Sequence, residues 1–414
     1  TIGHLAISIN GTLAMDITNI ELLSLHMGTV NDSITISGDI SLTDAAQFFI
    51  TPTAGDDNPT INTAGLLNSG GITIWGSAGN DALNDSDRVD TIYGDAGDDI
   101  LSGLGGADTI NGGDDNDTIY GDIWYREDFE NGATGWNDNT TTDGGGLTNF
   151  LGRFAGSGGA EDISKTFNLP STTAVTFSFD VYELDSWDNE EFNIFIDGVE
   201  IVTTNWYVFD DDEVYSGTSG DISWTITPGS RDNYAFSSYN DQIHSVSITI
   251  ANPNPTVKLG FGSTLNGSGN DESWGIDNLV ISTGSADGND TINGDAGDDT
   301  IYGDGGDDTI DGGTGNDTIE YIIGDGFDTV DGGDDTDTLS ITTTGSDTIL
   351  IEDAATYNTR TTGTDYAVDH FLISINGVLA VDAVNIESIN LNTKNSDTVE
   401  INGDFSSTTL SSTP

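Results

Sequence analysis

Nothing in this 414-residue chain constrains its fold more than a nine-residue register that starts at Gly76, breaks at Ile123 and resumes at Asp287. Before the break the units read GSAGNDALN, a degenerate DSDRVDTIY, GDAGDDILS, GLGGADTIN and GGDDNDTIY, and Gly121-Asp122 opens a sixth. Asp287-Gly288-Asn289-Asp290-Thr291-Ile292-Asn293 completes that sixth unit on the far side, so the joined ends read GDDGNDTIN without a gap. GDAGDDTIY, GDGGDDTID, GGTGNDTIE, a slipped unit ending in Phe327-Asp328-Thr329-Val330, and GGDDTDTLS follow. The form is GGxGxDxUx with U apolar, and all eleven units keep Asp at position six and Leu, Ile or Val at position eight. A Gly/Asp-rich linker has no reason to keep such a register, whereas a solenoid, each repeat stacking on its neighbours, requires it.

The repeat also carries chemistry. Glycines at positions one, two and four permit the positive φ of a tight turn. That turn points backbone carbonyls inward, the Asp at six adds a charged oxygen, and the apolar residue at eight sits on a three-residue strand facing a core. A flexible, many-donor, all-oxygen cage suits Ca²⁺ better than Mg²⁺. One loop offers too few oxygens, so each ion is shared between stacked coils and folding becomes conditional on metal. The candidate calcium ligands are Asp81, Asp90, Asp99, Asp108, Asp117, Asp290, Asp299, Asp308, Asp317, Asp328 and Asp337. Sharing between units two apart implies roughly six to nine ions. The unit at Asp85, which lacks its glycines, and the slip at Tyr321-Ile322 break the pattern locally.

Seventy-one acidic residues stand against eight Lys and Arg, a formal charge of −63. Self-repulsion on that scale opposes a compact state without cations. Nucleic acid is excluded as a partner, because neutralising phosphates needs clustered basic residues. There is no cysteine, so disulfides and thiolate metal sites are out of reach. No apolar run approaches the ~20 residues of a membrane span, so direct membrane insertion is not expected.

Residues 1–75 read as short alternating strands, and they have a counterpart in 341–414. His4-Leu5-Ala6-Ile7-Ser8-Ile9-Asn10-Gly11 matches His370-Phe371-Leu372-Ile373-Ser374-Ile375-Asn376-Gly377, and the match runs on through Asn19-Ile20-Glu21 with Asn385-Ile386-Glu387. A chain that begins and ends in copies of one unit is expected to be a monomeric section of a longer tandem protein.

The segment 123–286 differs in kind. It holds six of the seven Trp and five of the eight basic residues. Its apolar residues alternate: Phe177, Phe179, Val181; Phe192, Ile194, Ile196; Ile222, Trp224, Ile226; Val246, Ile248, Ile250; Val257, Leu259, Phe261. Strands of this kind, joined by Gly, Asn and Asp turns without helical periodicity, predict an inserted β-sandwich. The expected division is therefore 1–75, 76–122, 123–286, 287–340 and 341–414, an all-β chain in which a calcium-bound solenoid is split by an inserted sandwich.

Within the insert, Glu183 to Glu191, Asp210 to Glu213 and Asn270 to Asn278 concentrate oxygen ligands on expected loops. Two of the three set Asp and Glu beside a Trp, which suits a calcium ion with an aromatic wall. Asp185, Asp188, Asn270, Asp271 and Glu272 are the candidate ligands of such an ion. Arg153, Trp187, Asp185 and Asp271 are the candidate ligand-binding residues, the arginine offering a fork for a carboxylate.

The nonapeptides, clearest at Gly76 to Asn84 and Gly294 to Tyr302, resemble the calcium-binding repeats of RTX (repeats-in-toxin) proteins. That resemblance implies a parallel β-roll with two nonapeptides per coil, type I secretion, and folding outside the cell. Phe129-Glu130-Asn131-Gly132-Ala133-Thr134-Gly135-Trp136, Phe150-Leu151-Gly152-Arg153-Phe154, Ser186-Trp187-Asp188, Gly260-Phe261-Gly262-Ser263-Thr264-Leu265 and Glu272-Ser273-Trp274-Gly275-Ile276-Asp277-Asn278 resemble the peptide-binding domains of bacterial RTX adhesins. This second resemblance implies a calcium-dependent sandwich at the bacterial surface that holds the free C-terminal carboxylate of a peptide or protein on a host or neighbouring cell. Similar strings occur in carbohydrate-binding sandwiches, so a calcium-dependent lectin reading cell-surface glycans is the alternative.

An enzyme is not expected. His4, His26, His244 and His370 form no HExxH. Glu183, Asp185 and Asp188 do not reproduce the spacing of paired glycosidase carboxylates. Ice binding would need a flat Thr/Asn row, and position five varies among Asn80, Asp98, Ala107, Asp298, Asp307 and Asn316.

Overall fold

In the computed structural model, the described part of residues 1–71 is the backbone of strands 5–9, 12–17, 22–26, 33–38, 47–51 and 58–61. Beyond it, 72–413 are described except 85–88, 131, 144–147, 170–173, 186, 208–213, 233–240, 267–271, 284–287, 344–346, 361–365, 368–369, 393–396 and 403–408. The chain divides into two compact units, Thr1–Trp124 with Ser285–Pro414, and Tyr125–Gly284.

The first unit is a solenoid of two twelve-stranded sheets fed in turn by successive nonapeptides. Strands Thr91–Ala96, Thr109–Asp114 and Thr291–Ala296 lie in one sheet, and Ile100–Ser102, Thr118–Tyr120 and Thr300–Tyr302 in the other. Parallel partners follow the two-unit period: Thr91 pairs with Thr109, and Ile100 with Thr118. The pairing continues through the break, Thr109 with Thr291 and Thr118 with Thr300, so the cut register closes in space. A three-residue strand between glycine-rich turns can bury one side chain. Position eight takes that place in every unit, from Leu83 and Ile92 to Val330 and Leu339, each no more than 2% exposed. These residues form one continuous apolar column with the C-terminal flank's Ile349, Ile373 and Ile389.

The flanks add strands to the same two sheets. Leu5–Ile9 pairs antiparallel with Thr12–Ile17, as Phe371–Ile375 does with Val378–Val384, so the two matching segments form the same hairpin. Ser388–Asn392 then runs parallel to Thr338–Thr342, directly after the last nonapeptide. The single helix of the described residues, Ala354–Arg360, follows the strand Thr348–Asp353.

The second unit has an eight-stranded and a four-stranded sheet. Val175–Asp185 lies between Asp241–Ile250 and Glu272–Thr283 in the larger, antiparallel to both. Ile163–Asn168, Thr256–Ser263, Asp188–Ile196 and Val199–Tyr207 make the smaller. All five alternating segments expected from the sequence lie on strands. The sheets meet through aromatic rings: Phe261 of the smaller packs edge-on against Phe179 of the larger at 5.2 Å, and Phe192 of the smaller against Trp274 of the larger at 5.3 Å. Trp187, Trp274 and Phe261 are fully buried.

Candidate functional site

The position-six aspartates form two hydrogen-bonded columns. Asp81 donates its N–H to Asp99 Oδ1, Asp99 to Asp117, Asp117 to Asp299, Asp299 to Asp317 and Asp317 to Asp337, at 2.7–2.9 Å. Ile72 donates to Asp90, Asp90 to Asp108, Asp108 to Asp290, Asp290 to Asp308 and Asp308 to Asp328 in the other column. The carbonyls of Asp81, Asp99, Asp117, Asp299 and Asp317 in the first column, and of Asp90, Asp108, Asp290 and Asp308 in the second, also accept the N–H of the position-seven residue one coil on, as Asp99 does from Thr118. The degenerate unit and the slipped unit both keep their aspartates in line. At the slip the step lengthens from 18 to 20 residues, and the turn is tied by Tyr321 Oη donating to Gly326 O and Ile322 N–H to Asp325.

In eight of these carboxylates one oxygen is thereby used and the other is not. Oδ2 of Asp99, Asp108, Asp117, Asp290, Asp299, Asp308, Asp317 and Asp337 is buried with no hydrogen-bond partner in the protein. The position-one glycine explains where it sits. A Cβ on Gly94 would lie 2.4 Å from Asp99 Oδ2 and 2.4 Å from Gly112 O, and one on Gly294 2.4 Å from Asp299 Oδ2 and 2.3 Å from Gly312 O. Carboxylate and carbonyl oxygens therefore converge beside this glycine. The expectation that position one needs positive φ is corrected here: positive φ falls at positions two and four, as at Asp95 and Gly97, while position one is glycine for lack of room.

Left to protein groups alone, these carboxyls are poorly placed to ionise. Burial, and then the neighbouring Asp290, pushes Asp108 up to about 9; burial pushes Asp308 up to about 9 and Asp117 up to about 8. An orphaned, buried, all-oxygen donor set lined with carbonyls fits a hard divalent cation. Among the described residues no three His, Cys, Asp or Glu side chains converge on one point. That is what a loop site looks like when each coil supplies one carboxylate and the backbone supplies the rest.

Position five proves ordered. Asp98 donates its N–H to Asn80 Oδ1, Asn116 to Asp98, Asp298 to Asn116 and Asn316 to Asp298. Alternating Asn with Asp keeps like charges from stacking on successive coils while every side chain caps the next backbone N–H. The interrupted turn is closed by side chains: Gly288 N–H donates to both oxygens of Asp122, and Asp304 accepts from Asp122 and Ile123.

In the insert, Asp185 pairs with Glu272 across the two central strands, so the ends of the first and third acidic stretches are neighbours. Arg153 Nε donates to Ser273 Oγ at 3.1 Å, and Glu272 is buried. Trp187 lies fully buried, its indole N–H donating to Ser273 O at 3.0 Å, so its ring belongs to the core and is no surface wall. Asn270, Asp271 and the stretch Asp210 to Glu213 lie outside the described residues, as do the side chains of Asp185 and Asp188. Sequence reasoning missed the buried pair of Glu183 and His244, 2.9 Å apart, and the Lys165 ammonium shared by Tyr125, Glu127 and Thr134 O. Only the strand pairing brings those residues together.

The family model of the RTX calcium-binding nonapeptide repeat matches four copies, over residues 75–110, 93–123 and 285–319. No curated protein matches the chain. RTX repeats bind several calcium ions and are typical of secreted proteins, and no helix among the described residues is long and apolar enough to cross a membrane. By sequence and by the parallel roll they build, residues 75–123 and 285–319 of this chain are RTX-type calcium-binding nonapeptide repeats.

Proposed function

We propose that the chain is the ligand-binding section of a secreted RTX adhesin, in which the roll is a calcium-stiffened stalk and the insert binds a peptide or protein by its free C-terminal carboxylate. The eleven position-six aspartates hold the stalk's calcium, and in Asp99, Asp108, Asp117, Asp290, Asp299, Asp308, Asp317 and Asp337 the oxygen that does so is the one left without a donor in the protein. Calcium supplies the positive charge that lets these carboxylates stay ionised and close together. In the insert, Asp185 and Glu272 with Asp188, Asn270 and Asp271 hold a further ion, and Arg153 stands beside it for the ligand carboxylate.

The observation that supports the insert reading most is the register that sets Asp185 against Glu272, with Arg153 bonded to the next residue, Ser273. Two acidic stretches far apart in sequence then face a ligand together with one of the chain's few cations. Trp187 acts here as a positioning residue. The test is binding of free-acid and C-terminally amidated forms of the same peptides in calcium, with Asp185→Ala and Asp271→Ala as variants. Binding of the free acid alone, lost in both variants while the roll stays folded, is expected. Equal binding of amidated peptides, or binding to a glycan array in their place, would overturn the reading in favour of a lectin.

A further inference from the structure

The carboxylate column does not end with the last nonapeptide. Asp337 is position six of the eleventh unit, and its N–H is accepted at 3.0 Å by Glu387 Oε2, just as Asp317 N–H is accepted at 2.9 Å by Asp337. The backbone repeats the internal pattern. Gly332 N–H goes to Val384 O as Gly312 N–H goes to Asp331 O, and Ser388 N–H goes to Asp337 O as Thr338 N–H goes to Asp317 O. A Cβ on Gly332 would meet Asn385 O at 2.1 Å and Asp337 Oδ2 at 2.8 Å, the same two kinds of oxygen that crowd Gly312. Asn385 therefore stands where a nonapeptide has its first residue and Glu387 where it has its sixth, although a single residue, Ile386, separates them. Asp337 itself is fully buried, and its Oδ2 has no hydrogen-bond partner.

We infer that Asp337, Glu387 and the Asn385 carbonyl form a further calcium site at the seam between the nonapeptide array and the C-terminal flank, outside the nonapeptide pattern. The inference rests on the reading that the internal aspartates hold calcium. Two carboxylates face each other here across the seam. A divalent cation between them relieves the repulsion of two like charges brought this close. Glutamate's extra methylene spans distance that the shortened loop no longer covers. The loop also contributes fewer carbonyls, so this site is weaker than the internal ones and fills last. Its occupancy ties the strand Ser388–Asn392 to the array, and the roll thereby grips a flank whose sequence has no glycine-rich turn of its own at this point.

The test compares the full chain with Glu387→Gln, which keeps an amide oxygen to accept Asp337 N–H and removes the charge. Calcium per chain is counted by equilibrium dialysis with elemental analysis across a calcium series, and hydrogen exchange is followed in 388–392. The expected result is one ion fewer in the variant, or a last binding step displaced by about tenfold, with the late, calcium-dependent protection of 388–392 lost. An unchanged ion count together with unchanged exchange would overturn the site and leave Glu387 as a hydrogen-bonding cap. The wild-type exchange data decide the matter even if the variant misfolds, because protection of 388–392 that saturates with the internal strands and shows no later step also overturns it. A wild-type chain that binds no calcium at all would sink the internal-site reading, an outcome distinct from an array that fills normally while the seam does not.

Discussion

The roll and the insert are both built of strands, yet different forces hold them. In the roll the apolar core is one side chain wide, and beside it run columns of buried aspartates, eight of which have a second oxygen that meets no donor. In the insert the core is thick and aromatic, with Phe261 touching Phe179, Phe192, Trp136 and Trp274 from its place between the sheets. A multilayer cluster of buried rings removes more apolar surface from water than two aliphatic side chains per coil. The difference teaches that a strand-rich chain need not have one source of stability. A thin core suffices where a cation cancels the charge that the turns bring together.

Chelation should break this comparison most visibly. Removing calcium is expected to unfold the roll, seen as loss of far-ultraviolet strand signal, while the near-ultraviolet aromatic signal of the insert survives. Strand signal that is the same in chelator as in millimolar calcium would refute a calcium-held roll, and an aromatic signal that collapses at the same step would mean the insert's core depends on the ion as well.

Single substitutions sharpen the contrast. Phe261→Ala is expected to destabilise the insert by about 3–5 kcal/mol through lost burial and the cavity left behind, with no shift in the calcium midpoint of the roll. Gly94→Ala should do the reverse, costing about 3 kcal/mol through overpacking and raising the calcium needed to fold, because its Cβ has no room beside Asp99 Oδ2 and Gly112 O. Urea titrations read by tryptophan fluorescence and by far-ultraviolet dichroism separate the two, and Gly94→Ala at wild-type stability would remove the close-approach account of position one.

The smallest effect is the dependence on pH. Asp99 and Asp299 are pushed to about 7 and Asp108 to about 9 by burial, above their unfolded value of 3.8. A raised carboxyl pKa favours the folded state while it is protonated, so in chelator this contribution is full below the unfolded value and is lost as pH rises through about 7 to 9. In chelator the residual strand signal should be greater at pH 5 than at pH 9. Protons and calcium compete for the same oxygens, so the calcium midpoint should move to higher concentration as pH falls. A midpoint that does not move between pH 5 and 8 would remove the titrating aspartates from the calcium sites.

Much of this was legible in the sequence because a solenoid writes its geometry as a period. Asp at six and an apolar residue at eight fixed which oxygen turns inward and which side chain is buried, and the gapless join of Asp122 to Asp287 announced that the roll closes across its insertion. Alternation likewise marked the insert's strands. Other features had no local signature. The glycine at position one looks like a turn residue until stacking places a carbonyl from the next coil against it. The Asn/Asp variation at position five looks irregular until successive coils align it into a ladder.

The amino-acid sequence by itself determined the all-β class, the repeat, its position-six oxygens and the site of the break, because each depends on residues within one unit. Only the tertiary structure decided that both flanks join the roll's own sheets, that Asp185 faces Glu272, that Trp187 is core, and that Glu387 takes an aspartate's place. The physical reason is the same in each case. Those relations join residues a coil, a flank or a sheet apart, and proximity of that kind is set by strand pairing, which no periodicity within a single segment records.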